Sequence, residues 1–140
     1  MPFKGEWFVL WGGDTKDLNQ HHNNLAQKYA FDFVKVNRKG RTYHKSSKHN
    51  KNYYCFGTEI ISPARGTVVQ VVDGVDDNVP GYRNGYWLIG NAVIIKHSEK
   101  LHSLLAHFKQ NTIAVKPGDK VKSGDFLGLC GNSGNSTEPH

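Results

Sequence analysis

Cysteine is scarce: among 140 residues only Cys55 and Cys130 occur. That number excludes a disulfide framework and leaves room for one bridge at most. A cysteine-based zinc site is excluded as well, because the two are solitary and far apart, so any metal site must draw on histidine and carboxylate. Long apolar runs are also missing. Nothing approaches the ~20 residues of a membrane-spanning helix. Phe8-Val9-Leu10-Trp11 is too short for the apolar region of an export signal, and no basic segment leads into it. Acidic residues are in deficit, 12 against 18 lysines and arginines, which leaves a formal net charge of +6.

What remains is a globular composition with 37% hydrophobic residues. It suffices for one core, and no internal repeat or change of composition divides the chain, so residues 1–140 are expected to form a single domain. Glycine is plentiful, with 15 residues, and the apolar runs are short. Together these favour an all-β protein with many tight turns.

Glu6–Trp11 reads as a buried strand closed by Gly12-Gly13-Asp14. Asp17–Gln27 is a polar loop with at most a helical turn. Tyr29–Val34 is the next strand, and its alternation sets Asp32 on the face opposite Phe31 and Phe33. Thr67–Val72 is a clear β run, and Ala92–His97 with His102–His107 reads as a hairpin. Two short strands are expected around the Pro117-Gly118-Asp119 and Gly124-Asp125 turns. The positive charge concentrates in Lys35, Arg38, Lys39, Arg41, Lys45, Lys48 and Lys51. This segment is either a solvated, mobile loop or an electrostatic tether to an anionic partner. It lacks the interleaved aromatic platform of a nucleic-acid binder, although Tyr43, Tyr53 and Tyr54 lie near, so no nucleic-acid partner is expected.

Histidine is abundant, with eight residues. His107 ends an apolar strand, His140 follows a Gly/Ser/Asn turn, and His21-His22 precedes Asp32. A catalytic zinc site takes three protein ligands from His, Asp and Glu and leaves a position for water. Asp32 with His21 or His22 and further histidines on neighbouring strands matches that donor chemistry. His97 and His102 flank a turn and read as structural or surface residues. Asp76-Asp77 reads as a solvated turn, because no regular calcium-binding loop follows. Cys130 beside Gly131 reads as a small packing residue.

Several stretches in order carry a resemblance: Ser62-Pro63-Ala64-x-Gly66-Thr67-Val68, Gly90-Asn91-x-Val93-x-Ile95-x-His97, Leu105-Ala106-His107, Val115-Lys116-Pro117-Gly118-Asp119-x-Val121, and Gly131-Asn132-Ser133-Gly134 before Pro139-His140. The series is similar to the lysostaphin (LytM-type) zinc endopeptidases and runs from about Asp14 to the end. The resemblance implies mainly antiparallel sheets forming a groove with long loops, of the duplicated-hybrid-motif kind. It implies a zinc (Zn2+) enzyme that cuts peptide bonds of bacterial cell-wall peptidoglycan. An extracellular or cell-wall location follows from it, and anionic wall polymers are further partners it suggests.

Carried over by position, Asp32 matches the early metal ligand, His107 the separate catalytic histidine, and His140 the first histidine of the late pair. The usual early spacing would put the other ligand at Lys28, which is unsuitable. Asn19-Gln20-His21 resembles a longer-spaced variant, so His21 is preferred as ligand and His22 is the alternative. The late His-x-His stops at its first member, so the expectation is a chain lacking its last metal ligand and last strand, whose two-ligand site binds zinc weakly and orients water poorly. Two rivals remain in view. A noncatalytic wall-binding or hydrolase-activating domain of the same fold would need fewer ligands. A lipoyl- or biotinyl-type carrier is suggested by Val115–Asp125 but needs a lysine beside methionine, and the only methionine is Met1.

Overall fold

Runs of β-branched residues, which suit a pleated, half-buried surface, build the sheet that carries the core. In the computed structural model, which describes residues 1–140, eight strands form: β1 Phe8–Trp11, β2 Asp32–Val34, β3 Glu59–Ile61, β4 Gly66–Val72, β5 Asn91–Lys96, β6 His102–Phe108, β7 Lys120–Val121 and β8 Phe126–Leu129. One 3-10 turn, Asn50–Asn52, is the only helical element. The protein is therefore all-β, and every strand pairing is antiparallel. A four-stranded sheet has the order β6-β5-β4-β7, while β3 pairs with β8 and β1 with β2.

The core lies on the four-stranded sheet: Val68 from β4, Val93 and Ile95 from β5, Leu105 and Phe108 from β6, and Val121 from β7, closed over by Leu127 of β8. Each such side chain contributes roughly 1.5–3 kcal/mol when fully buried. β8 continues into the site because its end is tied to the end of β6, with Lys109 N donating to Leu129 O at 2.8 Å and Gly131 N to His107 O at 3.1 Å.

Two expectations need correction, for β1 and for the basic segment. β1 is not a buried strand: Phe8, Val9 and Leu10 are 53%, 43% and 40% exposed. It belongs to a two-stranded ribbon outside the core sheet, and its partner β2 offers only three residues. Asp17–Gln27 is a loop as expected, built from a succession of tight turns in which His22 N donates to Asn19 O, Asn24 N to His21 O and Gln27 N to Asn24 O. The basic segment is not a free loop. Tyr43 and Tyr53 bridge across it, and His44 N donates to Asn52 O at 3.0 Å.

Candidate active site

His107 sits where β6 loses register. Asn91 faces Phe108 while Val93 faces Leu105, so β6 carries one residue more than β5 over this span. Such a bulge re-aims a side chain. It also leaves His107 at φ 59°, a left-handed conformation that is costly for a residue with a β-carbon and tends to mark functional positions.

Buried polar groups hold that conformation. Asn91 donates from Nδ2 to Phe108 O at 2.9 Å and to Val75 O at 2.8 Å, while its Oδ1 accepts from Val75 N at 2.8 Å. Ser133 accepts from Asn91 N at 3.0 Å and donates to Phe108 O at 2.8 Å. Gly131 is required between them, since a β-carbon there would stand 2.2 Å from Lys109 N. The Gly131-Asn132-Ser133-Gly134 turn thus lies directly against the end of β6.

The Ser133 carbonyl lies 2.7 Å from His107 Nδ1. A carbonyl only accepts, so Nδ1 carries the proton and the lone pair of the neutral ring is on Nε2. His140 follows the same logic, with Nδ1 2.9 Å from Glu138 O and 3.1 Å from Ser136 Oγ. Ser136 is itself fixed by Asn132 Oδ1 at 2.7 Å, and Asn132 N donates to Asp77 Oδ1 at 2.6 Å. Asp77 is therefore a structural acceptor rather than part of a solvated turn. The His107 and His140 rings are 4.8 Å apart between centroids. Burial and the neighbouring His140 push the His107 pKa down to about 4, against the opposing pull of the Ser133 carbonyl and Asp32. His107 is thus neutral at neutral pH.

The second half of the cluster comes from the turn region and β2. His21 Nε2 is 3.0 Å from Asp32 Oδ2, and Gln20 Nε2 donates to the same oxygen at 3.4 Å. Phe31 and Phe33 stack at 5.8 Å while the Asp32 carboxylate turns to His21. Asn19, almost fully buried, donates to Gly13 O and Lys28 O at 3.0 Å each and accepts from His21 N at 2.8 Å. It fastens the turn that presents His21. His22 does not reach Asp32; its Nδ1 is buried without a hydrogen-bond partner. Asp32 and His21 both act electrostatically on His107, though no three of the His, Cys, Asp or Glu side chains are grouped closely enough to hold a metal ion.

All four residues singled out from the sequence are thus brought together in two pairs, His21 with Asp32 and His107 with His140. Asn19, Asn91, Ser133 and Ser136 were not singled out, although Gly90-Asn91 and Gly131–Gly134 stood in the motif series. Their signal is polarity at positions that the fold buries. His97 is structural, with its ring nitrogens 2.7 Å from Arg65 O and 2.8 Å from Ser103 Oγ. Beside His140, a recess of about 270 Å³ is lined by Ser47, Tyr53, Pro80, Gly81, Thr137 and Glu138.

Residues 43–140 match the model of Peptidase family M23. That span includes His107 and His140 and begins after His21 and Asp32. An uncharacterized metalloprotease of Buchnera aphidicola is 35% identical over 109 residues, covering 71% of this chain and 27% of the relative. The peptidoglycan DD-endopeptidase ShyC of Vibrio cholerae is 28% identical over 144 residues, covering 98% of this chain and 31% of the relative. A peptidase M23 crystal structure from Pseudomonas aeruginosa shares 32% identity over 61% of this chain and 31% of that one, with a TM-score of 0.48. The chain therefore spans less than a third of the length of each of these proteins.

Proposed function

This chain belongs to peptidase family M23, and from that premise we infer that His21, Asp32, His107 and His140 form the reacting centre of a zinc endopeptidase acting on bacterial peptidoglycan. The observation that carries this reading is an imidazole–carboxylate pair, His21 with Asp32, in a chain that also pairs two histidines, His107 and His140, whose Nδ1 atoms are both committed to carbonyls. The names of relatives that are peptidoglycan DD-endopeptidases support the substrate. A wall substrate makes the cell exterior the place of action.

The donor set fits zinc in its chemistry. At ligand distances of 2.0–2.1 Å in tetrahedral geometry, two donor atoms stand about 3.3 Å apart. The 3.0 Å between His21 Nε2 and Asp32 Oδ2 is close to that. His21 and Asp32 would hold the ion. When bound, zinc lowers the pKa of a coordinated water towards ~7 and polarises a carbonyl oxygen.

The remaining work falls to this chain's own side chains. In its neutral form each of His107 and His140 carries its lone pair on Nε2, so either can accept a proton from the attacking water. Protonated, the same nitrogen becomes a donor that stabilises the oxyanion of the tetrahedral adduct. It then returns the proton to the departing amine, so the peptide bond breaks with no net change at the histidine. Ser133 and Glu138, through their carbonyls, hold both rings in the tautomer this cycle needs.

A noncatalytic wall-binding or hydrolase-activating role is the alternative, and one observation favours it: no three His, Cys, Asp or Glu side chains are grouped so as to hold a metal ion. Zinc titration followed by digestion of purified peptidoglycan separates the two readings. The enzyme reading expects zinc uptake that is lost in Asp32→Ala, and release of soluble peptides that stops in His107→Ala. Unchanged zinc content in Asp32→Ala overturns the ligand assignment, and a zinc-loaded protein that leaves peptidoglycan intact establishes the alternative.

A further inference from the structure

The mechanism makes no use of the two cysteines, yet both are buried, at 0% and 2% exposure, and neither is bonded to the other as a disulfide. Their backbones are locked together. Thr58 N and Thr58 Oγ1 both donate to Cys55 O, at 3.0 and 2.6 Å. Cys130 N donates to Thr58 O at 2.9 Å and Gly57 N to Cys130 O at 2.8 Å. Two thiols thus project from a rigid junction between the Cys55–Thr58 turn and the end of β8.

Those thiols meet the segment that ends in His140. Cys55 Sγ donates to Pro139 O at 3.0 Å. Cys130 Sγ donates to His140 O at 3.4 Å. Pro139 is almost fully buried. Cys55 supplies its carbonyl with a donor, and a buried carbonyl without one is penalised. A thiol suits this position, because it packs as a small hydrophobe and still offers a weak donor.

We propose that Cys55 and Cys130 are positioning residues for His140, a buried pair of thiols that fixes the Pro139–His140 backbone and so the place of the imidazole. The role of His140 itself rests on the reading of the reacting centre given above. Ser136 and the Glu138 carbonyl set the tilt of the ring from one side. The thiols set the position of the backbone from the other.

The test is nitrogen-resolved NMR of the histidine rings in the full chain, with peptidoglycan hydrolysis measured alongside. In Cys55→Ala the His140 ring-nitrogen signals are expected to shift and broaden, with kcat lowered about tenfold and KM unchanged. Cys55→Ser, which keeps a donor, is expected to restore both. His140 signals identical to wild type in both Cys55→Ala and Cys130→Ala overturn the proposal. A purified wild-type protein lighter by two hydrogens also overturns it, since a disulfide has no hydrogen to donate. Should the alanine variants fail to fold, a folded Cys55→Ser with displaced His140 signals overturns it equally. Absence of hydrolysis in every form removes the reading of the reacting centre and leaves the ring spectra to decide the clamp.

Discussion

His107 shows how a single side chain is set by its surroundings. Burial and His140 depress its pKa from 6.5 to about 4. Between those values the unfolded chain binds a proton that the folded chain refuses, so stability rises with pH across this window. The contribution is complete above pH 6.5 and is lost as the pH falls through 4, and the gap corresponds to something on the order of 3 kcal/mol at most. Urea denaturation of the metal-free protein at pH 7, 5.5 and 4.5 is expected to show that decline, and His107→Asn is expected to flatten it. An equal slope in both proteins would assign the acid sensitivity elsewhere. The residue type at this position was legible in the sequence as a histidine closing Leu104-Leu105-Ala106. Its tautomer was not, because that is decided by the Ser133 carbonyl 26 residues away.

Among elements, the junction of β6 with the Gly131–Gly134 turn matters most. The bulge at His107, the buried Asn91 and Ser133, and the close approach of Gly131 to Lys109 form one unit. A methyl group at Gly131 would meet backbone atoms of Lys109 and Phe108 at 2.2 to 2.5 Å, and backbone cannot swing aside as a side chain can. Gly131→Ala is expected to cost about 3 kcal/mol and to lower Tm by on the order of 10 °C. Gly118→Ala, where the added carbon meets nothing within 4 Å and only φ 96° is strained, is expected to cost about 1–2 kcal/mol. Equal Tm values for the two variants would show that the junction is soft. The strands flanking this junction were readable: β4, β5 and β6 fall within a residue or two of their apolar runs. β3 was missed because three residues, Glu59–Ile61, give no period to detect. β1 was recognised as a strand but not as an exposed one, since apolar content cannot distinguish a core strand from one in a two-stranded ribbon. The bulge left no trace in the hydrophobic pattern, because one added residue at a strand end leaves the preceding alternation intact.

For the whole molecule the charge of +6 is the organising quantity, and the fold decides where it is displayed. Arg38, Lys39, Arg41, Lys45, Lys48 and Lys51 are all exposed. The segment bearing them is fastened to the site: Thr42 Oγ1 donates to Glu138 Oε2 at 3.1 Å, and Asn50 bonds Asn78 and Asn132 at 2.7 and 3.0 Å. A cationic rim is thereby held next to the segment carrying His140, which a free loop could not ensure. Such a rim would attract an anionic partner, as the proposed wall polymers would be, over roughly one Debye length, about 10 Å at 0.1 M salt and 3 Å at 1 M. Co-sedimentation with isolated cell walls is accordingly expected to fall severalfold between these salt concentrations. Lys45→Glu with Lys48→Glu is expected to weaken low-salt binding to a similar degree. Neither residue touches the four-residue cluster, so zinc binding should be unaltered in that double variant. Wall binding indifferent to both salt and charge reversal would place recognition outside the basic segment, which would then be a structural wall with a solvated face.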